Sequence, residues 1–333
     1  MRTARVKLSP AETEAVYHCM TRTVNGERLF DDTAKETLRK HLWLIADYCG
    51  VQILTYALLS NHFHVLIKIP QLTTPPTDAE LLRRYAILYP KPTKYQTAQL
   101  DVIKTQLETG GPEATRWRTR QLALMGDVSA FMKLVKQRFA TWYNKTHRRY
   151  GTLWAERFKS VLVEPKDRVI ETMALYIDLN CVRAGLAQDP KDYRFCGYGE
   201  AVAASSENHP ARRGLAAICG PHRPWTEVHA HYREALFGTG SGPKANAPAI
   251  TPEAFENVLK QKGRLPLSTV LRCRVRYFTD GVVLGSQAYV QQNLSAYAQR
   301  HRRREKSTPR PLKPIADWGD LTTLRGLRNA VFG

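Results

Sequence analysis

The chain has 333 residues, of which 43% are hydrophobic and 24% charged, with a mean hydropathy of −0.41. That length suggests about two domains and excludes a single small module, the composition excludes wholesale disorder, and no run reaches the roughly 20 apolar residues that cross a bilayer. Fifty Lys and Arg against 30 Asp and Glu leave a formal charge of +20, which calls for a polyanionic partner. Nucleic acid comes first, because its phosphates reward distributed cations through counterion release, and an anionic membrane surface second.

Residues 15–23 (AVYHCMTRT) are rich in strand formers and run into an Asn25-Gly26 turn signal. Asp31 and Asp32 can cap a helix in which Leu38, Leu42, Ile45 and Cys49 recur at helical spacing, and Gly50 can end it. Two β-rich runs, 51–59 and 63–69, flank Ser60-Asn61-His62 and read as an antiparallel pair. Residues 71–126 shift to Thr, Pro, Gln, Arg and Lys and read as an insertion with short helices.

A long helix is expected from near Asp127 to Thr146 on the stripe Val128, Phe131, Val135, Phe139 and Trp142. A strand at 158–164 and a helix from Lys166 to about Val182 follow, the latter carrying Val169, Met173, Tyr176 and Asn180. The order β-α-β-β-α-β-α predicts an α+β fold, a ferredoxin-like antiparallel sheet with helices on one face.

Beyond a first domain at 1–205, residues 206–251 read as linker-rich, 252–299 as a mainly helical accessory module and 300–333 as a mobile basic tail. The accessory module and tail carry Arg264, Arg272, Arg274, Arg276, Arg300, Arg302, Arg303, Arg304, Lys306, Arg310 and Lys313. This density suits phosphate tracking, so the region is expected to strengthen DNA binding without supplying catalysis. The six cysteines (19, 49, 181, 196, 219 and 273) have no metal-finger spacing and read as thiols of a reducing cytosol. No apolar run follows the basic N-terminus, so a cytoplasmic, nucleoid-associated location is expected.

The sharpest local feature is Asn61-His62-Phe63-His64. In a strand, residues two apart share a face, so His62 and His64 project together and can hold a divalent cation; surface or satisfied core histidines are the plainer reading. On the last helix of the first domain, Tyr176 and Asn180 lie four apart on one face. The amide oxygen is an acceptable ligand for Mg²⁺ or Mn²⁺ and the phenol a nucleophile, although Tyr176 also falls on a stripe that a core would bury. Tyr143, with His147 one turn on and Tyr150 nearby, is the rival nucleophile. Arg148, Arg149, Arg157 and Lys159 are candidate phosphate contacts, and Trp154 and Phe158 either stack on bases or fill core.

The segments YHCMTR (17–22), NHFHVLIKI (61–69), WYNKTHRRYGTLWAERFKSVLVE (142–164) and LYIDLNCVRAGL (175–186) resemble, in order, those of the REP-associated tyrosine transposases of the HUH superfamily of single-strand DNA nucleases. The resemblance implies metal ligands at His62, His64 and Asn180, a nucleophile at Tyr176, Mg²⁺ or Mn²⁺, and single-stranded or hairpin DNA near repeated palindromes. It implies an endonuclease and strand transferase working through a 5′-phosphotyrosine intermediate, as a monomer or homodimer. The family's usual NPVRAG is here Asn180-Cys181-Val182-Arg183-Ala184-Gly185, a change at the helix end that spares the ligand and nucleophile positions. The alternative is a domesticated hairpin DNA- or RNA-binding protein that does not cut.

Overall fold

The computed structural model describes residues 5–90, 99–237, 266–272, 275, 277–300, 308–312 and 316–324. Strands β1 (Ala15–Arg22), β2 (Gln52–Leu58), β3 (His62–Ile69) and β4 (Lys159–Val163) lie in the order β2-β3-β1-β4, each antiparallel to its neighbour. Helix α1 (Asp32–Cys49) joins β1 to β2. The chain then passes from β3 through α2 (Asp78–Leu88), α3 (Leu100–Thr109), α4 (Pro112–Leu122) and α5 (Val128–Thr146) to β4. With α2–α4 set aside as an insertion, this is the ferredoxin-like order expected from the sequence.

Local chemistry explains the boundaries. Asp31 accepts a hydrogen bond from the Ala34 amide at 2.8 Å and so caps α1. Gly50 ends that helix at φ 64°, where a side chain would be strained. Asp127 caps α5 through the Ala130 amide at 2.7 Å. Phe63 and its neighbours on one sheet face meet Trp154, which with Phe30 surrounds Phe139 of α5. Trp154 and Phe158 are thus core residues.

The opposite sheet face, the one bearing His62 and His64, is also covered. Helix α6 (Asp167–Asp178) lies on it, and its last residue, Asp178, is fully buried. Its carboxylate accepts from Thr55 Oγ1 (2.9 Å), Tyr232 Oη (2.6 Å) and the Tyr198 amide (3.2 Å). Burial pushes the Asp178 carboxyl up to about 6, and these three donors oppose the shift. Tyr232→Phe removes a donor from a buried carboxylate and is expected to cost about 1.5–3 kcal/mol, read by urea unfolding.

The C-terminal half departs from expectation in two ways. Within the stretch expected to be linker-rich, Pro210–Cys219 and Trp225–Phe237 are helices that bury Leu215, Ile218, Val228 and Leu236. The small residues that suggested a loop serve close packing instead: a Cβ on Gly214 would stand 2.6 Å from the carbonyl oxygens of Ile53 and Leu54.

The second departure is that the accessory region continues the first sheet. Strand β5 (Val283–Gly285) pairs parallel with β4, and β7 (Thr322–Thr323) and β6 (Arg310–Pro311) follow, giving β2-β3-β1-β4-β5-β7-β6. Strands of two or three residues are too short to show a period in sequence, yet β5 covers an edge of β4 that would otherwise be open. Arg300 closes the helix Gln287–Arg300 and donates to the Lys7 carbonyl at 3.0 Å, so the expected tail begins inside a packed element. Of the basic residues expected to act there, Arg264, Arg274, Arg276, Arg302, Arg303, Arg304, Lys306 and Lys313 lie outside the described residues, as does Cys273. The other five cysteines are free.

Candidate active site

The sheet register sets the site. His64 pairs with Met20, and Met20 with Lys159, so these three side chains share one face across three strands; His62 pairs with Arg22 one step along. The His62 and His64 rings lie 5.2 Å apart. Both rings have a hydrogen-bond partner on Nδ1. His62 Nδ1 is 2.6 Å from Asn61 Oδ1, while Asn61 Nδ2 donates to the Gly26 carbonyl at 2.8 Å, so the amide is oriented and His62 is the donor. His64 Nδ1 is 2.9 Å from Nε2 of His18, a fully buried ring whose own Nδ1 is 2.8 Å from the Phe278 carbonyl oxygen. Burial pushes the His18 imidazole down to about 4, against the bond to Phe278.

Helix α6 brings Tyr176 to this face, with its ring 6.5 Å from His64 and 6.4 Å from His18. Asn180 begins the short helix Asn180–Arg183 and spends its amide nitrogen on the carbonyls of Ile177 (3.0 Å) and Tyr176 (3.3 Å), which leaves Oδ1 as the ligand-capable end. Arg183 lies 4.1 Å over the Tyr176 ring and donates to its carbonyl at 2.5 Å and to the Leu271 carbonyl. Phe278 also packs on the phenol, ring to ring at 4.8 Å, and Tyr176 is 1% exposed.

His62, His64, Tyr176 and Asn180 line one cavity of about 520 Å³. Arg157 and Lys159 stand exposed on its wall, which half-buried Arg183 also lines. Arg272, Thr279 and Asp280 come to it from the C-terminal region that was expected to stay outside the catalytic part. Arg148 and Arg149 do not line it: Arg148 is exposed at a positive φ of 48°, and Arg149 pairs with Glu27 at 3.4 Å. Tyr143 does not line it either, stacking on His147 at 4.0 Å beside Phe139, and Tyr150 is almost fully exposed.

The donor set fits a divalent cation. Two imidazoles whose Nδ1 positions are engaged by outer partners present Nε2, and one amide presents oxygen, a mixed N/O set that suits Mn²⁺ better than Mg²⁺. A second group of ligand-type residues, Glu171, Cys219 and His231, gathers away from the cavity, where His231 Nε2 and Glu171 Oε1 already satisfy each other at 2.6 Å.

Sequence reasoning missed His18, Arg183 and Phe278. Alternation along β1 puts His18 on the same face as Met20, but its meeting with His64 depends on a pairing register that spacing along the chain does not reveal.

Comparison with known proteins agrees with the motifs. Residues 11–84 match the family model described as IS200-like transposase. That segment holds β1, α1, β2 and β3 with both histidines, and the resemblance to tyrosine transposases is borne out there. A solved structure of the REP-associated tyrosine transposase bound to a REP hairpin is 14% identical, with 61% of this chain and 86% of that chain covered at a TM-score of 0.37. The ferredoxin-like fold follows from the strand order β2-β3-β1-β4. No curated protein matches the chain. Among the described residues no helix is long and apolar enough to cross a membrane.

Proposed function

We propose that this protein is a metal-dependent endonuclease and strand transferase for single-stranded or hairpin DNA, working through a 5′-phosphotyrosine link at Tyr176. The observation that carries the reading is the convergence of His62, His64, Tyr176 and Asn180 on one cationic cavity. The IS200-like transposase match over 11–84 supports DNA as the substrate.

His62, His64 and Asn180 would hold Mn²⁺ or Mg²⁺, which supplies charge neutralisation at the scissile phosphate. The chain's own groups do the rest. Arg157 and Lys159 hold flanking phosphates from the cavity wall. The Tyr176 oxygen attacks phosphorus as its phenol proton passes to water, the P–O3′ bond breaks and the departing 3′-oxygen takes a proton from water, so the phosphotyrosine link keeps the bond for rejoining a strand. A phenol ordinarily ionises near pH 10, and the Arg183 guanidinium over the ring favours the negative charge that develops on its oxygen. The Tyr176 and His64 rings lie 6.5 Å apart within one chain, which supports attack by the chain's own tyrosine.

The test is incubation of the full chain with a pool of hairpin and single-stranded oligonucleotides and Mn²⁺, followed by mapping of the covalent peptide–DNA adduct, which is expected on Tyr176. His62→Ala and His64→Ala are each expected to abolish cleavage while keeping most hairpin affinity, because Lys and Arg contacts to phosphate dominate binding. Cleavage at the parental rate by the double substitution defeats the metal-site reading. Hairpin binding without any adduct favours the non-cutting alternative.

A further inference from the structure

We infer that His18 is a positioning residue that fixes the tautomer of the ligand His64, and that the chain's C-terminal region, through the Phe278 carbonyl, anchors this arrangement. The inference rests on the proposed reading of His64 as a metal ligand. The series contains one fixed acceptor, the Phe278 carbonyl oxygen. A carbonyl oxygen accepts and cannot donate, so the 2.8 Å contact makes His18 Nδ1 the donor. A neutral His18 then carries its lone pair on Nε2, and the 2.9 Å contact makes His64 Nδ1 the donor in turn. The lone pair of His64 is therefore on Nε2, the same nitrogen that Asn61 selects on His62.

His18 is fully buried between a carbonyl and an imidazole, surroundings in which a ring without two hydrogen-bond partners would be costly. An apolar side chain would fill the space without assigning protons. Outer hydrogen bonds of this kind raise ligand basicity and hold the ring in place. Phe278 is 260 positions from His18, in the short helix Tyr277–Asp280 that leads into β5, and its ring also packs on Tyr176. One residue of the accessory region therefore serves both a ligand and the nucleophile.

The test compares His18→Gln with His18→Phe in the full chain. A glutamine oxygen can take the place of His18 Nε2 and accept from His64, whereas phenylalanine keeps volume and removes the acceptor. Two readouts are used: long-range ¹H–¹⁵N spectra of histidine-labelled, metal-free protein, with His64 assigned by its loss in His64→Ala, and Mn²⁺ binding followed by electron paramagnetic resonance. The parent is expected to show His64 as the Nδ1–H tautomer. His18→Gln should keep that tautomer and Mn²⁺ affinity within a few fold. His18→Phe should lose the tautomer preference and bind Mn²⁺ about 10–100-fold more weakly.

A packing role predicts the opposite order, with phenylalanine tolerated better than glutamine, and that order overturns the inference. So does an Nε2–H tautomer of His64 in the parent, which is read even if both variants fail to fold. Mn²⁺ binding indifferent to His62→Ala defeats the metal-site reading, and His18 is then judged on the tautomer of His64 alone.

Discussion

Tyr176→Phe is expected to reduce formation of the covalent DNA adduct by at least about 10³-fold, the scale on which removal of a nucleophile acts, while hairpin binding stays within a few fold of the parent. The ring is in contact with the Arg183 guanidinium and with Phe278. Phenylalanine keeps both contacts and loses only the hydroxyl, so the fold should survive and the defect should lie in chemistry. Tyr143→Phe serves as the control. That phenol stacks on His147 and does not line the cavity, so its loss should leave the adduct intact. The measurement is denaturing electrophoresis of the adduct beside equilibrium hairpin binding without metal. An adduct of undiminished yield in Tyr176→Phe would move the nucleophile elsewhere.

Cutting the chain after residue 205 is expected to abolish the adduct at every enzyme concentration. The loss would remove Tyr232 from the buried Asp178 carboxylate, Phe278 from Tyr176 and His18, and β5 from the edge of β4. Truncating the fully buried Phe278 to Ala would alone cost about 3–5 kcal/mol, against a typical total stability of about 5–15 kcal/mol. Phe278→Ala in the full chain separates the two effects. It should lower the unfolding midpoint and slow adduct formation, while the salt dependence of hairpin binding, set by Lys and Arg, stays as steep as in the parent. A truncated protein that folds and forms the adduct would return the C-terminal region to a purely accessory role.

The parts of this molecule that sequence made legible are those governed by short-range geometry. Alternation placed His62 and His64 on one face of β3, and the i, i+4 relation placed Tyr176 beside Asn180. Capping by Asp31 and Asp127 marked where α1 and α5 begin. What stayed hidden depends on partners far along the chain. His18 meets His64 across a strand register, and Phe278 reaches His18 through a turn of helix before a three-residue strand. Of the stretch 206–251 that composition marks as linker-rich, 210–219 and 225–237 are helices, with Gly214 letting the first close on the backbone of β2, while the Gly- and Pro-rich run 238–249 lies outside the described residues. Charge density was equally ambiguous around 148–159: Arg157 and Lys159 line the cavity, the latter beside Glu156 at 3.6 Å, whereas Arg149 pairs with Glu27 away from it.

The parallel pairing of β4 with β5 bears on how the protein is made. Leu162 and Val163 pair with Val283 and Leu284, so β4 leaves the ribosome well before the strand that will close its edge. At elongation rates of about 5–20 residues per second this interval is on the order of 10 s. Throughout it the nascent chain already carries both histidines and the tyrosine, yet presents an open ladder to any neighbouring polypeptide. Stalled chains ending near residue 240 should therefore be cut by proteases around β4 and engage holdase chaperones, and release of the full chain should end both. Equal protection of β4 in stalled and finished chains would show that some other segment covers the edge first.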